Sequence, residues 1–372
     1  MKKVKVNLKN NAYQILIGRN LLSSIGRLIK PLKVGSKVLI VSNKIIPKVF
    51  LSMIEKSLKR SGFQVHTYYK LLGIERRDKS AKMLWNIWNE MGRIPLDRSS
   101  LVIAVGGGVC GDVAGFAAST YMRGLSVIQV PTTLLAQVDS AIGGKTAIDL
   151  LSAKNIVGSF HQPRLVVADL ETLKTLPLNH IKNQFPEIIK YGMIADTFLF
   201  RLLENRLGRF LSAVEINRFS STEFSFLEAV VSRSAAIKAK VVVEDERETK
   251  GKRMILNYGH TFAHALEGAS RFRLPHGQAV AIGMIFAGEL ACRMGIFSRA
   301  AQERQIQLIA KLGLSLNCKF RSAELIKFMK RDKKVKNGKM RFVLPKRIGQ
   351  VGIYENIPER LVRDVLDDYR RK

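Results

Sequence analysis

Leu101-Val102-Ile103-Ala104-Val105-Gly106-Gly107-Gly108-Val109-Cys110-Gly111-Asp112 decides the fold class of this chain. Five apolar residues read as a buried strand, three glycines as a tight loop, and Asp112 to Ala118 as the start of a helix on that loop. Gly106-x-Gly108-x-x-Gly111 between a strand and a helix has the spacing of a dinucleotide-binding turn. There backbone N–H groups approach a pyrophosphate and the helix N-terminus favours its charge. In the common arrangement an acidic residue follows about 20 residues on, at the end of the next strand. Here the next strand, Val127-Ile128-Gln129-Val130, runs into Pro131-Thr132-Thr133 with no acid. The loop also follows earlier strands. Two readings stand at this point: a nucleotide site of unusual build, or only a tight strand-to-helix turn.

The same alternation extends outward. Val4 to Ile17 reads as strand and turn, Lys37 to Val41 as a buried strand, and Ile54 to Leu58 as helix. Gln64 to Tyr69 reads as strand and Lys79 to Met91 as helix, and strand and helix alternate to about Asp169, the pattern of an open parallel sheet. After Leu176-Pro177, 3.6-residue periodicity takes over in Glu187–Ile194, Phe198–Leu207, Glu223–Val243, His260–Glu267 and Gln278–Met294. Met340 to Leu344 is the best remaining strand. The expected architecture is an α/β N-terminal nucleotide-binding domain with a parallel sheet over residues 1–174, followed by a mostly α-helical domain over 175–372.

A length of 372 residues suits two domains, and 47% apolar residues is ample for globular cores. No apolar run is long enough to cross a bilayer, and no apolar segment follows the basic start Met1-Lys2-Lys3. Three scattered cysteines, Cys110, Cys292 and Cys318, argue against a disulfide framework and for a reducing, cytoplasmic setting. The formal charge is +32. The basic residues are spread along the chain, densest over Lys327–Lys339, where no interleaved aromatic stacking platform accompanies them. This favours a solvated basic surface over specific nucleic-acid binding, and it would draw in a phosphorylated substrate.

Half of the six histidines fall in one window, Asn257-Tyr258-Gly259-His260-Thr261-Phe262-Ala263-His264 and Pro275-His276-Gly277. Imidazole is the usual neutral ligand of zinc-like ions. His260 and His264 are four residues apart and share a helix face. The Glu of H-E-x-x-H is missing, so a zincin protease is not indicated. His276 is a third candidate ligand, and Glu187 and Glu267 are the candidate carboxylates. Gly143-Gly144-Lys145-Thr146 ends like a Walker A loop, but Asp139 stands where its first glycine is needed.

Taken together, these segments resemble the 3-dehydroquinate synthase family of sugar-phosphate cyclases. The matching stretches are Gly106–Asp112, Gln129–Ser140, Gly143–Thr146, Lys154-Asn155, Phe160–Pro163, Lys174–Pro177, Glu187–Gly192, Asp245–Glu248, Asn257–His264, His276-Gly277 and Arg331–Lys334. They follow one another in order from about residue 37 to 345. The resemblance implies catalytic NAD and a divalent Zn2+ or Co2+ ion held by Glu187, His260 and His276, with His264 on the substrate side. It implies NAD contacts at Gly106, Gly107, Gly108, Val109, Cys110, Gly111, Asp112, Thr132, Thr133, Lys145 and Lys154, with Asn43 near the adenosine end. Asp139, Lys145, Asn155, Lys190, Lys238, Arg253, Asn257, Lys333 and Lys334 would form the substrate shell. Arg123 would reach the phosphate of a neighbouring subunit, implying a homodimer. Three departures stand out. Gly73-Ile74-Glu75-Arg76-Arg77-Asp78-Lys79-Ser80 follows the family's D-G-E-x-x-K segment only loosely, which bears on Glu75 and Lys79 as NAD contacts. Pro186 precedes Glu187 where a small residue is usual, and one extra residue lies between Glu248 and Arg253.

The implied reaction converts a phosphorylated sugar acid, 3-deoxy-D-arabino-heptulosonate 7-phosphate, to 3-dehydroquinate and phosphate, with hydride taken up and returned so that no net NADH forms. The competing expectations are another sugar-phosphate cyclase, a metal-dependent polyol dehydrogenase of related fold, and a basic nucleic-acid binder; the last gives no reason for the histidine cluster.

Overall fold

The computed structural model describes residues 1–73, 75–150, 153–330 and 340–370, with Glu75 and Arg76 described for their backbone alone. Lys333 and Lys334 therefore lie outside the described residues, as does the side chain of Glu75. The chain folds into two compact units. One comprises Met1–Leu176 and Ser220–Arg247, and the other Pro177–Phe219 and Glu248–Lys372. A single boundary at 174/175 was expected from the sequence. The chain instead crosses after Leu176 and returns for one long helix, Ser221–Glu244, before crossing again.

The strands of the first unit are β1 (Lys2–Val6), β2 (Tyr13–Gly18), β3 (Lys37–Asn43), β4 (Gln64–Leu71), β5 (Leu101–Gly106), β6 (Ser126–Pro131), β7 (Lys145–Ile148), β8 (Val157–Phe160) and β9 (Leu165–Asp169). Seven form one sheet in the order β1-β2-β9-β6-β5-β3-β4. β1 is antiparallel to β2, and all the other pairings in this sheet are parallel. β7 and β8 form a separate antiparallel hairpin.

Continuous apolar runs become central strands because both faces are covered. Along β3 and β5, Leu39, Val41, Val102 and Ala104 point into a core that includes Leu84, Ile87 and Met91 of helix Ala81–Arg93 and Val113, Ala114 and Ala117 of helix Gly108–Thr120. The alternate residues Val38, Ile40, Leu101, Ile103 and Val105 point into the opposite core, with Ile25, Ile29, Leu51, Ile54 and Leu58. Helix Ser221–Glu244 packs on β1 and β2, so it belongs with the sheet rather than with the helices on either side of it in sequence. Its start is fixed by a capping box. Ser220 N donates to Glu223 Oε2 at 2.9 Å, and Thr222 N donates to Ser220 Oγ at 3.1 Å.

The second unit is helical, as its periodicity indicates. Helix His276–Arg293 runs through its middle, with Ala279 to Gly288 all buried. It packs against helices Leu178–Ala195, His260–Ala269, Arg299–Ala310 and Glu359–Arg370 and against β10 (Phe342–Arg347), which pairs antiparallel with β11 (Gln350–Tyr354). Helix Leu178–Ala195 carries Pro186 in its interior, one residue before Glu187.

One buried aspartate ties three segments in the first unit, two through its carboxylate and the third through its carbonyl. Asp169 Oδ1 accepts from Asn20 N at 3.1 Å and Glu171 N at 3.0 Å, and Oδ2 accepts from Leu22 N at 3.0 Å. Burial pushes its carboxyl above the usual range, and the backbone donors pull it part of the way back. The Asp169 carbonyl accepts from Gln137 Nε2 at 3.1 Å, which anchors the segment carrying Thr132, Thr133 and Asp139. Asp169→Ala should strand these donors and lower the unfolding free energy by about 3 kcal/mol. A urea unfolding curve superimposable on that of the parent would contradict this.

Candidate functional site

The glycine loop stands at the carboxyl end of the sheet, where open α/β sheets bind ligands. Gly107 caps helix Gly108–Thr120 without any side-chain hydrogen bond, so the first-turn N–H groups keep their capacity for an anion. Gly111 lies where the helix touches β6: a Cβ there would come within 2.7 Å of Gln129 Oε1, while Gln129 Nε2 donates to the Gly111 carbonyl at 3.2 Å. Cys110 offers the loop only its backbone. Its Sγ is turned into the core, 3.4 Å from the Val41 carbonyl and 3.5 Å from that of Val105, and burial pushes the thiol up to about 12.

Around this loop several buried polar atoms have no hydrogen-bond partner among the described residues: Asn43 Oδ1 at the end of β3, Thr132 Oγ1 after β6, and Ser140 Oγ. A Cβ on Gly108 would meet Ser140 Oγ at 2.9 Å, and one on Gly107 would meet Thr133 Cγ2 at 3.2 Å. Buried polar groups are normally satisfied. A set of orphans facing an open helix N-terminus fits a polar ligand with a pyrophosphate, as NAD is. Of the two readings of the glycine turn, these unpaired atoms favour the nucleotide site. Ser140 lay within a motif whose spacing said nothing of its side chain.

Lys79 is buried at 4% exposure, its Nζ 2.7 Å from Asp112 Oδ2 and hydrogen-bonded to Asn155 Oδ1. It thus joins three segments beneath the helix start. Its neighbour Asp78 accepts from Leu72 N at 3.0 Å and Gly73 N at 2.5 Å, so the loosely matching segment 73–80 is held by its own carboxylate. Lys238, on helix Ser221–Glu244, pairs with Asp139. Lys145 opens β7 and is exposed, Lys154 is half-buried beside Asn155, and Arg123 is exposed after helix Gly108–Thr120.

In the second unit Glu187, His260 and His276 converge. Glu187 Oε1 is 3.1 Å from His260 Nε2 and 3.0 Å from His276 Nε2, and one ligand atom of each residue lies within 4.8 Å of the others. Atoms bound tetrahedrally about 2.1 Å from one ion stand roughly 3.4 Å apart, so this is close to a ready-made chelate. Two imidazoles and one carboxylate are one of the donor sets of catalytic zinc sites, which keep a position open for water or substrate. The structure separates the i, i+4 pair by position. The His264 and His260 rings stand edge to face 5.6 Å apart, but His264 is exposed and not in the chelating group. Of the two candidate carboxylates, Glu187 joins that group; Glu267 Oε1 lies 3.2 Å from His276 Nδ1 instead.

Glu187 is 2% exposed and forms an ion pair with Lys190, one turn on and itself 2% exposed. Burial alone would raise its carboxyl, but Lys190 and His260 outweigh it and hold the group well below the usual carboxylate range. Burial lowers His276, and its hydrogen bonds to Glu187 and Glu267 overcome this and raise it to about 10. Arg253 is buried, with Nε 3.6 Å from Glu248 Oε1, and Asn257 is half-buried at the end of the turn Lys252–Asn257.

Comparison with known proteins is consistent with both clusters. Residues 71–183 match the 3-dehydroquinate synthase N-terminal family and residues 185–335 the 3-dehydroquinate synthase C-terminal family. The chain is 43% identical over 367 residues to a 3-dehydroquinate synthase of Prochlorococcus marinus (strain NATL2A), covering 98% of this chain and 97% of that one. It is 42% identical over 365 residues to one from Picosynechococcus sp. (strain ATCC 27264 / PCC 7002 / PR-6), covering 97% of each. Among solved structures, 2-deoxy-scyllo-inosose synthase complexed with carbaglucose-6-phosphate, NAD+ and Co2+ matches with a TM-score of 0.86 at 26% identity, over 99% of this chain and 100% of that one. The chain belongs to the 3-dehydroquinate synthase family.

Gly277 sets how closely the helices bearing His276 and Glu187 approach, since a Cβ there would lie 1.6 Å from the Asn183 carbonyl. Gly277→Ala should push them apart and weaken zinc binding by more than about tenfold, and His276→Ala should abolish stoichiometric binding. Unchanged zinc content after dialysis in both variants would contradict the assignment.

Proposed function

We infer that this member of the 3-dehydroquinate synthase family converts 3-deoxy-D-arabino-heptulosonate 7-phosphate to 3-dehydroquinate and phosphate, as a phosphate-releasing lyase of the shikimate pathway of aromatic amino acid biosynthesis. The observation that carries the reading is the convergence of Glu187, His260 and His276 in a chain that also presents an open glycine loop ringed by orphaned polar atoms. Bound NAD would supply a reversible hydride acceptor, and a bound Zn2+ or Co2+ ion a Lewis acid toward the hydroxyl to be oxidised.

The chain's own residues do the rest. Glu187 stays ionised because Lys190 pairs with it, and one carboxylate with two neutral imidazoles leaves a divalent cation net positive. Asn43, Thr132, Thr133 and the Gly106–Asp112 backbone hold the dinucleotide, with Lys79 bracing Asp112 from beneath. Asp139, Lys145, Lys154, Asn155, Lys190, Lys238, Arg253, Asn257 and His264 are the proposed contacts of a polyhydroxylated, phosphorylated substrate, with Lys333 and Lys334. Each charge-assisted hydrogen bond to the phosphate contributes roughly 1.5–3 kcal/mol. The formal charge of +32 supplies a field that favours such an anion.

A net polyol dehydrogenase is the weaker reading, because a buried lysine beside the metal carboxylate and a second buried lysine on Asp139 suit an anionic substrate better than a neutral one. We place the protein in a reducing, cytoplasmic compartment on its three free cysteines; among the described residues no helix is long and apolar enough to cross a membrane.

We also propose a homodimer in which Arg123 reaches the partner subunit's substrate phosphate. The exposed turn holding Arg123 has left-handed backbone at Met122 (φ 49°) and Arg123 (φ 68°), two such residues in succession, a conformation that costs about 1–3 kcal/mol per residue. Exposed apolar side chains, Met122, Val157 and Phe160, lie on this turn and on β8, whose outer edge has no strand partner among the described residues.

The test is purified protein with sub-stoichiometric NAD, a divalent ion and the heptulosonate phosphate. Phosphate should be released over many turnovers with no net absorbance of NADH; NADH accumulating in step with product would overturn the reading. Arg123→Ala should lower kcat/KM by roughly 10- to 100-fold, equivalent to one lost charge-assisted contact, while leaving metal content alone. An unchanged kcat/KM would remove Arg123 from the phosphate site.

A further inference from the structure

Neutral imidazole carries a single N–H, and the nitrogen that bears it cannot bind a cation. His276 lies between two carboxylates: Nε2 is 3.0 Å from Glu187 Oε1 and Nδ1 is 3.2 Å from Glu267 Oε1. Without a cation both nitrogens can donate; binding one requires the neutral ring, whose single proton can take either side. Donated from Nε2 to Glu187, it would close the ligand position; donated from Nδ1 to Glu267, it would leave the Nε2 lone pair facing the cation. We propose that Glu267 is the positioning residue of the metal centre, selecting the second tautomer and fixing the ring of His276. This rests on the reading that Glu187, His260 and His276 hold the ion.

The two histidines are supported differently. His260 is nearly buried, with its side chain 11% exposed, and its Nδ1 is 3.2 Å from the carbonyl of Tyr258, a residue anchored by its hydroxyl to Gln305 Oε1 at 2.7 Å. Fixed backbone does for His260 what a side chain must do for His276. The His276 side chain is 40% exposed, at the first position of its helix, so packing holds its ring less firmly. Glu267 is 12% exposed and sits seven residues after His260, two turns along the same face of a well-formed helix. The loop that leads on to His276 is fastened to the same residue: Phe272 N donates to the Glu267 carbonyl at 2.7 Å, and Ser270 Oγ donates to it at 2.9 Å while accepting from Leu274 N at 3.1 Å. Glu267 thus places His276 through its backbone and orients it through its carboxylate.

Zinc and cobalt dissociation constants of the full-length protein, from competition with a chromophoric chelator, test this without turnover. The parent should bind one equivalent. Glu267→Ala should bind 10- to 100-fold more weakly, the usual effect of losing a carboxylate behind a metal-bound histidine. Glu267→Gln keeps an acceptor oxygen but no charge and should fall between them, with a cobalt visible spectrum closer to the parent's. Equal dissociation constants for parent and Glu267→Ala would overturn the role of Glu267 while leaving the metal site intact. So would weakened binding matched by an equal loss of metal-free thermal stability in both variants, which would mark a merely structural residue. A parent that binds no ion would instead overturn the metal reading itself, and this inference with it.

Discussion

A single buried carboxylate organises the second unit. Glu187 is almost wholly removed from water, and two imidazoles and one ammonium meet its two oxygens. A buried charge is tolerated only when it is paired, and stripping one partner from such a group typically costs about 3–5 kcal/mol. The surrounding architecture serves that pairing. Helix Leu178–Ala195 supplies Glu187 and Lys190 at i and i+3, helix His260–Ala269 supplies His260, and the next helix begins on His276 with Gly277 pressed against the Asn183 carbonyl. In the absence of a cation these groups neutralise one another; with a divalent cation bound, the imidazoles act as neutral ligands and Glu187 as the anionic one.

The first unit leaves buried polar atoms without a partner among the described residues, at the strand ends where we propose that the dinucleotide binds. The central strands of its sheet are covered on both faces by apolar side chains, which leaves polar groups for a ligand to the loops at the strand ends. There, Asn43, Thr132 and Ser140 keep unpaired oxygens, while Asp169, Lys79 and Asp78 spend their hydrogen bonds on bracing the loops. Rigid bracing beneath and open valence above is the arrangement a preformed dinucleotide site requires.

Much of the fold was legible because its signals are local. The strand Leu101–Gly106, its glycine loop and the following helix are where composition alone places them, and the helical second unit follows from its periodicity. Helix Ser221–Glu244 was legible as a helix, but not as a partner of β1 and β2, because its neighbours in sequence belong to the other unit. In the metal cluster, helical spacing ties His260 to His264, whereas the groups that converge come from three separate helices. Nothing in a 3.6-residue period connects residues 187, 260 and 276; residue type made each a candidate, and the resemblance to a family chose Glu187 over Glu267 and set His264 apart. Glu267 was visible as a nearby acid, but its place behind His276 depends on a loop conformation that no spacing encodes. The same is true of Lys79, itself buried, whose partners lie 33 and 76 residues away.

The proposed activity depends on one centre, a divalent ion held by a carboxylate and two imidazoles from three helices. The most direct measurement is an anomalous difference map from crystals of the zinc-loaded protein, collected on either side of the zinc absorption edge. The prediction is a single strong peak about 2.0–2.2 Å from a Glu187 oxygen, His260 Nε2 and His276 Nε2 together. A peak elsewhere, or none at these three residues under conditions that support turnover, would contradict it.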